Sequence, residues 1–177
     1  MTINFPKIIS IFSGYFLALT IWTISSTLTY ALGTPAKSAL VFDHETSEMI
    51  LEKNPDIPIP PASMSKLMTL NMLFEALRQG QITLEDEFLV SRKASKKGGS
   101  KMFLREGEKV TIKDLILGII VLSGNDACIV AAEGLAGTEE EFSKRMTRRG
   151  KQLGLKNSTF KNSTGWPDPD HKMSARD

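Results

Sequence analysis

Cysteine is almost missing from this sequence. Cys128 stands alone among 177 residues, which excludes an internal disulfide. It lies in the apolar run from Ala127 to Ala132, with nothing beside it to complete a metal ligand pair, and reads as a small core residue. Histidine is nearly as scarce. His44 and His171 are the only two, so zinc sites and histidine-based triads are poorly supplied and no metal is expected. Charge of one sign is lacking too. Lys and Arg number 22 against 20 Asp and Glu, a net charge of +2, which gives no reason to expect a nucleic-acid partner. The densest basic cluster, Arg92-Lys93 with Lys96-Lys97, reads as a solvated loop.

The longest gap is in charge of any kind. No side chain between Lys7 and Lys37 is charged, and the stretch 8–32 is apolar with small polar interruptions. A positive start, an apolar stretch and a small-residue exit (Thr29-Tyr30-Ala31, or Thr34-Pro35-Ala36) make a secretory signal. A core helix of this length without a polar face would be odd. An uncleaved anchor is the alternative, since the stretch can span ~30 Å of hydrocarbon, and it would bring membrane association. Both readings have residues 1–31 exporting the remainder, 32–177. By length the remainder is one domain.

Within that domain, Ala39–Phe42 and 48–52 read as strands of a hairpin around Asp43-His44-Glu45-Thr46. Residues 54–61 are too rich in proline for a helix. A helix is expected over 62–79, ending at Gly80, and a short strand over 88–91. Thr111 with Asp114 forms a capping-box start for an apolar helix to Leu122. Ser123-Gly124-Asn125 interrupts it, and a second helix follows from Asp126 to about Leu135. Thr138 with Glu141 starts another, ending at Gly154. Beyond Asn157 the chain reads as loop, although Ser174 to Asp177 resembles the start of a further helix.

The stretch PPASMSKLMTL, residues 60–70, carries a lysine into an otherwise apolar run. Residues three apart share a helix face, so Ser63 and Lys66 are neighbours. Pro60 and Pro61 place Ser63 in the first turn. No acidic residue lies near Lys66 on its own helix. Glu75 falls on the opposite side and, with Asn71 and Arg78, is expected to make the polar face. Lys66 therefore points toward the buried half. Desolvation and the positive end of the helix dipole both lower a lysine pKa. A neutral lysine beside a serine hydroxyl is a general base next to a nucleophile. Backbone N–H groups of the first turn would face an oxyanion forming there. The plainer alternative is an N-cap serine with a lysine that snorkels to water.

Ser123-Gly124-Asn125 breaks two apolar helices within a buried-looking region. A hydroxyl and an amide placed there must be satisfied or functional. They could face the same pocket as Ser63 and Lys66. A simple helix–helix turn, with Asn125 or Asp126 as N-cap, explains Gly124 and Asn125 well and Ser123 less well.

Together, Ser63-Met64-Ser65-Lys66 within PPASMSKLMT and Ser123-Gly124-Asn125 within LSGNDA resemble the motifs of the serine D-alanyl-D-alanine carboxypeptidases. These are the low-molecular-mass penicillin-binding proteins, relatives of the serine β-lactamases. ALVFDHETSEMILEKN resembles the family's opening hairpin, and NSTGWPDPDHKMSARD its segment after the helical region. The resemblance runs from about Ala39 to Asp177. It implies an α/β (α+β) transpeptidase-like fold, a helical cluster packed on an antiparallel sheet. It also implies an exported enzyme, periplasmic or on the outer face of the bacterial inner membrane, that trims the terminal D-alanine from peptidoglycan stem peptides. By resemblance, Ser63 is the nucleophile that becomes acylated, Lys66 its base, Ser123 a proton relay and Asn125 a ligand for the substrate backbone. β-Lactams would be covalent inhibitors, and no metal or organic cofactor is needed.

One family motif is missing. No Lys-Thr-Gly or Lys-Ser-Gly occurs in the 177 residues. In the family that strand supplies a second oxyanion donor and a cation for the substrate carboxylate. The chain is therefore expected to be an N-terminal portion, without the later sheet strands. Two other readings stand beside the carboxypeptidase. A β-lactamase-type hydrolase is disfavoured by Ser-Gly-Asn in place of Ser-Asp-Asn. An inactive exported remnant would at most bind peptidoglycan or a partner.

Overall fold

The computed structural model describes residues 33–177. The signal or anchor expected at 1–31 lies outside the described residues. The chain divides into two units, Met1–Pro35 and Ala36–Asp177, and every element below belongs to the second.

Strands β1 (Ala39–Phe42) and β2 (Met49–Lys53) pair antiparallel, with a register shift between Val41 and Phe42. The Asp43 carboxylate closes the turn by accepting from the amides of Glu45 and Thr46 at 2.8 and 3.0 Å. This is the expected hairpin, with its second strand moved on by one residue. The connection from Asn54 to Pro61 is non-helical, as its prolines require. Its Ile59 bridges to Met173, a pairing between distant segments that no local pattern announces.

The helix expected over 62–79 opens as a 3-10 turn, Ala62–Ser65, and continues as α1, Lys66–Arg78. The short strand β3 is Glu87–Leu89. It pairs antiparallel with β4, Lys109–Thr111, which the sequence reading had missed. Thr111 then caps α3, Ile112–Leu122, by accepting from the Asp114 amide at 3.1 Å. Helix α4, Asn125–Ala136, follows after two residues. Thr138 caps the last helix, α5 (Glu139–Gln152), through the Glu141 amide. Three glutamates in its first turn and Arg149 and Lys151 in its last suit the helix dipole.

Helix α4 is the centre of the domain. Ala127 through Ala132 are wholly buried. A helix that is apolar around this much of its circumference must be surrounded, and α1, α3 and α5 pack on it. Its small residues allow the close approach. At Gly134 any side chain would collide with the Phe88 ring of β3. Leu73, Ile112, Leu115 and Ile119 complete the main core. A second cluster of Met68, Phe142, Met146 and Phe160 joins α1 and α5. Helices thus pack with short antiparallel strands, as the fold class requires. Each sheet among the described residues has two strands. Met64 and Leu67 beside the 3-10 turn, and Leu117, Ile120, Val121 and Leu122 on α3, stand exposed. No described helix is long and apolar enough to cross a membrane.

One expectation is corrected and two others gain detail. Glu75 lies on the polar side of α1, and that side is covered by another helix. Glu75 receives a fork from Arg149 of α5 at 2.6–2.9 Å, and that guanidinium holds its carboxyl below the usual range. The basic cluster is not a solvated loop. Arg92–Ser95 forms a helical turn, α2, capped by Ser91. Lys93 pairs with Glu139 and Glu140 at 2.9 and 2.8 Å, and Lys97 lies 4.2 Å from the centre of the Trp166 ring. At Ser174 to Asp177, the Asp177 N–H donates to the Ser174 hydroxyl at 3.2 Å, the contact of a capping serine at a helix start. Arg176 pairs with Asp56 and Glu52. The Asp177 carboxylate accepts from the Lys156 and Asn157 amides and the Ser158 hydroxyl.

Candidate active site

Two interruptions in helical structure meet at the site. The first is the turn from Ala62 to Ser65. Ala62 is left-handed, with φ of 48°, so the chain turns sharply out of the proline segment just before Ser63. Ser63 is exposed, while Lys66, the first residue of α1, is only 4% exposed. The second is the junction between α3 and α4. Ser123 ends α3 in the left-handed conformation, with φ 53° and ψ 39°. A non-glycine residue there costs energy, and the turn aims the Ser123 hydroxyl back at α1.

The result is a cluster of three. Lys66 Nζ lies 3.1 Å from Ser63 Oγ and 2.9 Å from Ser123 Oγ. Both of its partners are neutral hydroxyls. Burial pulls the Lys66 pKa below its ordinary 10.5, and the neighbour that could oppose this is Cys128, only as a thiolate, rather than a carboxylate. Cys128 itself is wholly buried, and its pKa is pushed up to about 12. It is an inert wall behind the lysine. The snorkelling alternative for Lys66 is thereby excluded. So is the plain turn reading of the second motif: Gly124, not Asn125 or Asp126, is the N-cap of α4, and it offers no side chain.

Asn125 belongs to the same region but is turned to another task. Its side chain donates to the Gly98 carbonyl at 2.8 Å, and its backbone N–H donates to the Ser100 carbonyl at 2.8 Å. Ser63 and Ser123 are therefore joined through Lys66. Asn125 sits two residues from Ser123 and binds the Gly98–Ser100 loop.

Sequence reasoning missed the groups that hold this arrangement. The Asp126 carboxylate is fully buried and accepts from the amides of Met102, Leu104 and Ala127 at 2.9–3.1 Å. It fastens the 98–104 segment to the start of α4. An acid heading an otherwise apolar helix was the available signal. On the other side, Thr69 donates to the Ser163 carbonyl at 2.7 Å. Glu139 accepts from both the amide and the hydroxyl of Ser163. Gly165, at φ 79°, lies so close to the Ala62 carbonyl that any side chain would collide with it. Among the described residues, no group of three or more His, Cys, Asp or Glu is placed to hold a metal ion.

Two hydroxyls joined through one buried amine are the groups that a serine acyl-transfer site of the Ser-Lys kind uses. The comparisons show the family. The family model for D-alanyl-D-alanine carboxypeptidase, the S11 peptidases, matches residues 26–177, and the chain belongs to this family. It is 43% identical over 149 residues to D-alanyl-D-alanine carboxypeptidase DacF of Bacillus subtilis, covering 84% of this chain and 38% of that protein. The crystal structure of the carboxypeptidase DacD from Francisella tularensis superposes with a TM-score of 0.81 at 31% identity, over 85% of this chain and 36% of that one. Penicillin-binding protein D2 of Listeria monocytogenes in its ampicillin-bound form superposes with a TM-score of 0.71 at 25% identity, over 82% of this chain and 59% of that one. The chain spans less than two fifths of the length of the curated DacF protein it matches.

Proposed function

We propose that this chain carries the nucleophile and proton-transfer groups of an exported serine D-Ala-D-Ala carboxypeptidase. The observation that supports this most is Lys66: buried, without a carboxylate neighbour, and held between the hydroxyls of Ser63 and Ser123. The peptidoglycan stem peptide ending in D-Ala-D-Ala is the proposed substrate. Ser63 Oγ attacks the carbonyl carbon of the penultimate D-alanine as its proton passes to Lys66 Nζ. The tetrahedral intermediate collapses, the peptide C–N bond breaks, and the leaving amine takes a proton through Ser123. Water then hydrolyses the Ser63 ester, freeing the shortened peptide and restoring the serine hydroxyl. Asn125, two residues after Ser123, is the proposed ligand for the substrate backbone.

A β-lactam presents a strained amide to the same serine, and the acyl-enzyme it leaves is the simplest trace of the mechanism. Mapping a labelled penicillin onto the native protein tests the assignment. Residues 1–31 are the proposed export signal. The periplasm or the outer face of the bacterial inner membrane is the proposed location, where the substrate lies. The carboxylate-binding cation and second oxyanion donor that the family draws from Lys-Thr-Gly have no counterpart motif in these 177 residues. This supports reading the chain by itself as a half-site.

A further inference from the structure

His171 is among the largest wholly buried side chains, and acyl transfer as proposed gives it no task. Its Nε2 lies 2.9 Å from the Ser65 hydroxyl. Its Nδ1 accepts from the Lys161 amide at 3.3 Å. A backbone N–H can only donate, so Nδ1 carries no proton and the ring proton sits on Nε2. Neutral His171 therefore donates to Ser65. Ser65 is itself wholly buried, stands between Ser63 and Lys66, and closes the 3-10 turn on which α1 begins.

We infer that His171 is a positioning residue for Ser63 and Lys66: its neutral, Nε2-protonated ring holds Ser65, and adding a proton at Nδ1 loosens the turn that carries both. The second proton comes from solvent and takes the lone pair that the Lys161 amide uses. That amide then loses its acceptor at a part-buried position, which weakens the hold on the ring. The imidazolium would also be poorly accommodated. The Ala62–Ser65 turn offers it only the neutral Ser65 hydroxyl, and the Phe160 ring meets it edge-on at 5.7 Å. Among the described residues, the charge that acts on it is that of Asp168, on its own loop. Burial outweighs Asp168 and already holds the ring below its ordinary pKa of 6.5. Gly165 against the Ala62 carbonyl, and Thr69 on Ser163, show that the segment carrying His171 also packs on this turn and on the start of α1.

The kinetic test rests on the acyl-transfer reading; the spectroscopic one does not. With only two histidines in the chain, a His44→Asn variant of the native protein assigns both imidazole signals. On acid titration, the amide signals of Ser63, Ser65 and Lys66 should move with the His171 midpoint. In His171→Gln, whose amide copies the Nε2 donor and does not titrate, they should stay still. Penicillin acylation of that variant should approach the wild-type rate above neutral pH and lose one of the wild type's acid-side inflections. His171→Ala should acylate up to about 10²-fold more slowly, the scale expected for misplacing reacting groups by about 1 Å. A His171 titration that leaves the turn amides unmoved would overturn the inference. So would a Gln variant with the full wild-type acid limb. A wild-type protein that penicillin never acylates would sink the acyl-transfer reading instead, and the amide titration would still decide the role of His171.

Discussion

Lys66 Nζ is held 2.9 Å from Ser123 Oγ, across 57 residues of sequence and between two different helices. That contact joins the two motifs into one site. Ser63 and Lys66 are neighbours by helical spacing alone. Ser123 reaches them only because α3 ends in a left-handed residue while α4 runs on through the core.

The first prediction concerns Lys66. Lys66→Arg should slow penicillin acylation by about 10²–10⁴-fold, the usual contribution of a general base, although charge is kept, because arginine stays protonated. Burial depresses the lysine pKa, so the active neutral form is lost as pH falls through that lowered value. The same depression makes a charged Lys66 a cost to folding. That cost is fully present below the folded pKa and disappears as pH rises toward the unfolded value near 10.5. Lys66→Met should therefore raise the thermal midpoint near neutral pH while removing acylation. An arginine variant with the wild-type acylation rate would show Lys66 to be structural only.

A second prediction concerns Gly165. Its positive φ and its approach to the Ala62 carbonyl leave no room for a side chain. Gly165→Ala should cost roughly 1–3 kcal/mol from backbone strain alone and slow acylation of Ser63 by moving its turn. Chemical denaturation and acylation rate would be read on the same sample. A variant with unchanged stability would mean that the loop can retreat from the turn at no cost.

The motifs were legible because they are local. Ser-x-x-Lys at a helix start, the capping pairs Thr111–Asp114 and Thr138–Glu141, and the apolar run of α4 each follow from spacing within one segment. The partner of Glu75 was not legible because helical periodicity shows which residues share a face and not what covers it. Here the cover is Arg149, 74 residues away. The basic cluster failed for the same reason: its partners, Glu139, Glu140 and Trp166, come from distant segments. His171 had no local signature at all, since its meaning lies in Ser65, 106 residues earlier. Asn125 was singled out by its motif, but its hold on Gly98 belongs to loop geometry that composition does not encode.

A third prediction concerns export. The exported protein should lack the residues before about Leu32, because the uncharged stretch that starts after Lys7 has the form of a cleaved signal. N-terminal sequencing of material from outside the cytoplasmic membrane would decide it. A mature product beginning at Met1 or Thr2 would favour an uncleaved anchor.

A fourth concerns the 177-residue polypeptide assayed by itself. Lacking one oxyanion donor costs roughly 10²–10³ in rate, and the motif that binds the substrate carboxylate in the family is missing as well. Exposed Met64 and Leu67, with Leu117, Ile120, Val121 and Leu122 of α3, also favour association. The polypeptide should be poorly soluble or loosely packed, and should release no D-alanine from a peptide ending in D-Ala-D-Ala. A soluble, cooperatively unfolding monomer that releases D-alanine would show that other residues of the chain take over the third motif.

The central claim is that Ser63 is the nucleophile, activated by Lys66 at 3.1 Å. Its most direct test is peptide mapping of the native protein after reaction with a labelled penicillin. The adduct should lie on Ser63 and vanish in Ser63→Ala. Label on Ser65 or Ser123 in the wild-type protein would contradict the assignment.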